Sequence, residues 1–175
     1  DPAADGRRSD GAGRLLDARA ADWLPGFDEH GKGEIRLRYL LTHSSGLRPW
    51  RAFYADLRER ELRKGEHLLG TEAARRAILE RIARSAPVHA PGEASVYGDL
   101  GFIALGAIVE NAAGEPLDAF CQRRIYAPLG MSDTGFAVPE VDVDRCSSLY
   151  GFAPGKGMTL IAPAPMMTIP PSMLS

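Results

Sequence analysis

Residues 100–113, Leu-Gly-Phe-Ile-Ala-Leu-Gly-Ala-Ile-Val-Glu-Asn-Ala-Ala, restrict the possible folds more than any other stretch of this chain. Phe102, Ile103, Leu105, Ile108 and Val109 point to several sides of a helix. A helix apolar on all its faces is usually buried at the centre of a domain, so this one is predicted to form the core. Gly101 and Gly106 each cost about 1 kcal/mol relative to alanine in a helix, which points to close packing against neighbours. Gly114 is placed to end the helix, and Pro116 suits the first turn of another. In that next helix Leu117, Phe120, Cys121 and Ile125 form the apolar stripe, and Pro128 and Gly130 stop it.

Upstream the pattern predicts more helices around this centre. Over 71–84, Thr71 can cap, Glu72 favours the first turn, and Ala74, Ile78 and Ile82 recur every four residues. Residues 51–64 are charge-rich with Phe53, Tyr54 and Leu57 on one side, as in a surface helix. Residues 35–43 suit one or two helical turns closed by Ser44-Ser45-Gly46, with Gly46 as the stop. Small apolar clusters at 14–17 and 23–27 flank charge, and Pro25-Gly26 marks a turn. Beyond Phe136 no helical period survives, and only 158–161 suggests a short strand. The chain thus divides into a loose leader (1–13), a helical part (14–136) and an irregular Pro-, Gly- and Met-rich tail (137–175). A long structureless stretch is unusual inside a compact domain, so the tail is expected to pack on something outside this sequence.

Composition bounds function loosely. The chain has 175 residues, 45% hydrophobic and 25% charged, which suits one globular domain. A net charge of -2 gives no reason to expect nucleic acid or an anionic membrane as partner. No apolar run reaches the roughly 18 residues of a membrane span, and the first ten residues hold no signal core. The compartment stays open between periplasmic or extracytoplasmic and cytoplasmic, as does the oligomeric state. His30, His43, His67 and His89 lack metal-ligand spacing, as do Cys121 and Cys146. Cys121 is expected to be a buried thiol. Neither a phosphate-binding loop nor a Gly-x-Ser-x-Gly elbow occurs, and Gly155-Lys156-Gly157 reads as a simple turn. No cofactor is expected.

Two segments can carry chemistry. In Leu40-Leu41-Thr42-His43-Ser44-Ser45-Gly46-Leu47, adjacent His43 and Ser44 would point about 100° apart on a helix, which disfavours a local Ser/His pair. In Pro91-Gly92-Glu93-Ala94-Ser95-Val96-Tyr97-Gly98-Asp99 the chain runs straight into the apolar helix. Tyr97 and Asp99 can project into a cleft there, and a tyrosine beside a cation can serve as a base. The simpler alternative is that Asp99 caps the helix and Tyr97 packs.

These blocks, in this order, resemble the serine β-lactamase family, which includes class C β-lactamases, D-alanyl-D-alanine carboxypeptidases and related esterases. That family carries a Leu-Leu-Thr-His-Thr-Ser-Gly-Leu segment, like residues 40–47. Downstream come Pro-Gly, as at Pro91-Gly92, and Tyr-x-Asn or Tyr-Ser-Asp, as at Tyr97-Gly98-Asp99. An apolar helix with glycines and then Pro-Leu-Gly-Met-x-x-Thr follow, as in Pro128-Leu129-Gly130-Met131-Ser132-Asp133-Thr134. The resemblance covers residues 13–175 and is strongest over 35–136.

It implies an α+β fold of the β-lactamase/DD-peptidase type, of which this chain holds mainly the helical subdomain, with the flanking sheet strands largely absent. It also implies acyl-enzyme hydrolysis of an ester, amide or β-lactam in a small-molecule or peptide substrate. In the family a Ser-x-x-Lys motif supplies the nucleophile, and a late-strand triplet completes the pocket. By this resemblance Tyr97 is the acid–base residue and Asp99 holds the third motif position, as Asp in place of Asn. Gly98 stands where the family usually has Ser. None of Lys32, Lys64 and Lys156 follows a serine by three positions. The expected reading is therefore a fragment of such a hydrolase, inactive by itself. The alternative is a non-catalytic ligand-binding or scaffold domain derived from the family.

Overall fold

The computed structural model describes residues 13–65, 67–68, 71–137, 145, 149–153 and 157–162. Helices dominate: α1 (Leu37–Leu41), α2 (Ala55–Lys64), α3 (Glu72–Arg84), α4 (Asp99–Ala113) and α5 (Leu117–Cys121), the last continuing into a π-helical turn at Gln122–Tyr126. Two short 3₁₀ turns, Ala20–Asp22 and Glu29–Gly31, precede α1. Strand β1 (Leu149–Ala153) pairs antiparallel with β2 (Gly157–Ala162). The predicted strand at 158–161 lies within β2. Its partner β1 went unforeseen: Tyr150 and Phe152 favour a strand, but the run is only five residues long and Gly151 interrupts it. The predicted leader falls almost wholly outside the described residues, as do Cys146 and much of the predicted tail.

The core gathers on one side of α4. Leu100, Ala104, Ala107 and Ile108 meet Leu40, Ile82, Phe27, Ile35 and Ala20. Gly101 faces Leu40 of α1 and Gly106 faces Leu117 of α5, where a methyl group would lie at 3.6 and 3.5 Å. Both are ordinary contact distances, so the glycines mark the helix faces without being sterically required. Thr71 accepts a hydrogen bond from the Ala74 N–H and caps α3, as predicted. Gly114 ends α4 in the left-handed conformation, φ 69°.

Three expectations fail. The helix α4 is not covered on all sides: Phe102 and Ile103 are 48% and 42% exposed, so the apolar period identified the helix but not its partners. Cys121 is half-buried, because α5 lies at the margin and none of its residues is fully buried. Gly46 does not stop α1, which already ends at Leu41; the chain reverses at His43, φ 55°. Histidine is among the residues enriched in that left-handed region.

Lys32 is fully buried, an uncommon place for an ammonium. Its Nζ donates to the carbonyls of Glu29 at 2.7 Å and Ser85 at 3.1 Å, and lies 5.7 Å from the Phe27 ring centre. Ser85 is the C-cap of α3, so the cation sits at the negative end of that helix. Burial nonetheless lowers the Lys32 pKa from its ordinary 10.5. The unfolded chain therefore binds more protons between the lowered value and 10.5, and stability rises with pH across that window. Lys32→Met should cost about 1–3 kcal/mol at neutral pH, since two carbonyls lose their donor. It should also flatten the rise toward pH 10.5. Urea unfolding of both proteins from pH 7 to 10.5 checks this; parallel pH profiles would exclude Lys32 as the source of the rise.

Candidate active site

Five hydrogen bonds join the two segments that the sequence treats separately. The Gly92 N–H donates to Ser44 O and the Val88 N–H to Gly46 O, both at 2.8 Å. The Val96 N–H donates to His43 O and the Asp99 N–H to Pro49 O, both at 2.9 Å. Ser95 Oγ donates to Thr42 O at 2.9 Å. The turn after α1 and the loop leading into α4 thus form one backbone-laced unit. No local sequence period reports such a pairing, since its partners lie about fifty positions apart.

Two glycines make this approach possible. Gly46 adopts φ 78°, and a Cβ there would stand 2.1 Å from His89 O. Gly98 has extended backbone, but a Cβ there would stand 2.5 Å from both Cα and O of Pro49. In the family that this segment resembles, Ser usually stands at this position. The structure gives the local reason for Gly98: a side chain would push the loop off Pro49.

Tyr97 sits at the tip of this unit and is 76% exposed. Asp99 is exposed and opens α4, but it does not cap it: the N-cap is Gly98, with no side-chain cap bond. The Asp99 carboxylate has no partner among the described residues. Tyr97 stays out of the core but packs its ring on His43, so of the simpler alternative only the Asp99 cap fails. The phenol and the carboxylate flank Gly98 on the exposed side of the corner.

His43, set aside with its neighbour Ser44 in the sequence, belongs to this corner. Its ring centre lies 4.7 Å from that of Tyr97 and 4.9 Å from that of Phe102. Its Nδ1 accepts the Gly98 N–H at 3.4 Å. Ser44 Oγ pairs instead with Thr42 Oγ1 at 2.8 Å, in line with the expectation that His43 and Ser44 form no dyad. The sequence signal for His43 was the family-like segment itself, not the Ser/His adjacency.

No group of three His, Cys, Asp or Glu side chains among the described residues could hold a metal ion. No helix of the described residues is long and apolar enough to cross a membrane. A cavity of about 360 Å³ opens between the 24–27 turn, α3 and α4, against Phe27, Leu79, Ile82 and Ala104. It touches none of Tyr97, Asp99 or His43, and its lining is mainly apolar helix surface. Tyr97 and Asp99 instead stand exposed on the corner beside His43.

A family profile described as Beta-lactamase matches residues 10–170. Esterase EstB of Burkholderia gladioli is 33% identical over 142 residues, covering 71% of this chain and 33% of the esterase. Monacolin J acid methylbutanoyltransferase of Aspergillus terreus is 38% identical over 136 residues, covering 73% of this chain and 31% of that enzyme. The chain thus spans about a third of the length of these curated relatives. Among solved structures, a class C β-lactamase superposes with a TM-score of 0.60 at 17% identity, covering 91% of this chain and 38% of the other, a likeness of fold alone.

Proposed function

The chain belongs to the β-lactamase family, and from that premise we propose that its Tyr97–Asp99 corner is one wall of an acyl-transfer site. Its hydrolase and acyltransferase relatives support assignment to the serine hydrolases. The observation that carries the reading is the placement of Tyr97: an exposed phenol held on a backbone-laced corner, with an unpartnered carboxylate two residues on.

In the proposed reaction a serine outside these 175 residues attacks the carbonyl of an ester, amide or β-lactam. Tyr97 accepts a proton as the acyl-enzyme forms, or returns one to the leaving group. A lysine ammonium beside the phenol would favour the phenolate, because an opposite charge stabilises the ionised form. Asp99 can pair with that ammonium through a charge-assisted hydrogen bond, where the family's Asn would offer a neutral one. The relatives named as an esterase and a methylbutanoyltransferase support an ester-type acyl group on a small molecule, and those named as D-alanyl-D-alanine carboxypeptidases support a peptide donor equally. A peptide acyl donor uses the same chemistry.

By this reading the 175 residues alone hold the acid–base wall but no nucleophile. Removing the nucleophile leaves only binding and oxyanion stabilisation. The purified chain should therefore show no turnover of nitrocefin or p-nitrophenyl acetate above the buffer rate. Turnover that disappears in Tyr97→Phe would overturn the view that the nucleophile lies elsewhere.

A further inference from the structure

We infer that His43 is the positioning residue for Tyr97, fixing the ring from which the phenol acts; this rests on the acid–base reading of Tyr97. Three contacts converge on His43. Its carbonyl accepts the Val96 N–H at 2.9 Å, one residue before Tyr97. Its Nδ1 accepts the Gly98 N–H at 3.4 Å, one residue after. Its ring lies against that of Tyr97, tilted by 47°, while its other neighbour is Phe102 of α4, stacked at 26°.

Tyr97 is thus gripped on both sides of its backbone and on its ring by a single residue. At 76% exposure the core does little to hold the phenol, and the ring contact with His43 restrains its direction. The left-handed φ of His43 turns its carbonyl and its imidazole toward the same loop. Aromatic pairs with centres 4.5–7 Å apart attract beyond their buried area, so the ring contact orients as well as touches. The 3.4 Å hydrogen bond is long and adds direction more than strength.

The imidazole also makes the grip sensitive to its own proton. Accepting at Nδ1 places the neutral ring's hydrogen on Nε2, and a protonated ring has no acceptor left for the Gly98 N–H. Against the His43 ring the structure sets the Tyr97 and Phe102 rings and the Gly98 N–H, with the Asp99 carboxylate one residue past Gly98. None of the ion pairs among the described residues involves His43. Protonation should therefore loosen the corner and shift the environment of the Tyr97 ring.

The test is NMR on the 175-residue chain with ring-labelled tyrosine, the Tyr97 signals being assigned by their loss in Tyr97→Phe. The native chain should show a nuclear Overhauser contact between the Tyr97 and His43 rings. Its Tyr97 signals should move with the same midpoint as the His43 imidazole. His43→Phe should retain a ring contact but lose that pH-dependent movement, and His43→Gln should lose both. Absence of the contact in the native chain, or Tyr97 signals that ignore the His43 titration, would sink the inference even if His43→Gln does not fold. The catalytic reading fails separately, by an unchanged rate when the Tyr97 hydroxyl is removed from an active, longer protein.

Discussion

Gly46→Ala is expected to destabilise the chain by about 2–5 kcal/mol, a large share of a domain's usual 5–15 kcal/mol. Two costs add. An L-residue held in the left-handed region loses roughly 1–2 kcal/mol, and Gly46 sits at φ 78°. Inserting a methyl into a filled space costs about 1–3 kcal/mol more, and this methyl would meet the His89 carbonyl oxygen at 2.1 Å. That neighbour is backbone, which cannot rotate aside as a side chain could. Relief requires separating the turn after α1 from residues 87–89, at the expense of the Val88–Gly46 hydrogen bond. Gly114→Ala is the control, with φ 69° and nothing within 4 Å of its would-be Cβ. It should cost only the conformational share, roughly 1–2 kcal/mol. Urea unfolding of both variants reads the difference, and equal losses would show that the approach to His89 is not what Gly46 serves.

The contrast between those glycines also marks how far the sequence could be read. Gly114 was identifiable as a helix stop because a period of apolar residues ends beside it. Gly46 shows the same local signal without that role, because its true neighbour, His89, lies 43 positions away and leaves no local trace. The helices α3 and α4 were legible for the same reason as Gly114: Thr71 caps, Ile82 repeats, and the apolar run of α4 is long. The side left open around Phe102 and Ile103 was not legible, since a period says which residues want cover but not what supplies it. At the site, ordered motifs pointed to Tyr97 and Asp99, and the structure places them on one exposed corner. His43 was not legible, because its neighbour in sequence is Ser44 whereas its physical neighbours are Tyr97, Gly98 and Phe102.

Within a longer protein that carries these residues together with a Ser-x-x-Lys nucleophile, Tyr97→Phe should lower kcat by roughly 10²–10⁴-fold. That range corresponds to about 3–5 kcal/mol of transition-state stabilisation. The substitution removes only the hydroxyl and keeps the ring that meets His43 and stands in solvent. Folding stability should therefore change by less than about 0.5 kcal/mol, as for most surface changes. An acid–base group acts mainly on the moving proton, so KM should change little while kcat and kcat/KM fall together. Tyr97→Ala would also free the His43 ring and is the less discriminating variant. Asp99→Asn should have a smaller effect, because an amide can still hydrogen-bond a lysine ammonium without the charge assistance. Steady-state hydrolysis of a short-chain p-nitrophenyl ester, with a thermal melt of each variant, separates these outcomes. A Tyr97→Phe enzyme retaining kcat within about threefold would remove Tyr97 from proton transfer, since general acid–base groups contribute at least a hundredfold. A loss of kcat accompanied by a lowered melt would assign Tyr97 to the architecture of the corner instead.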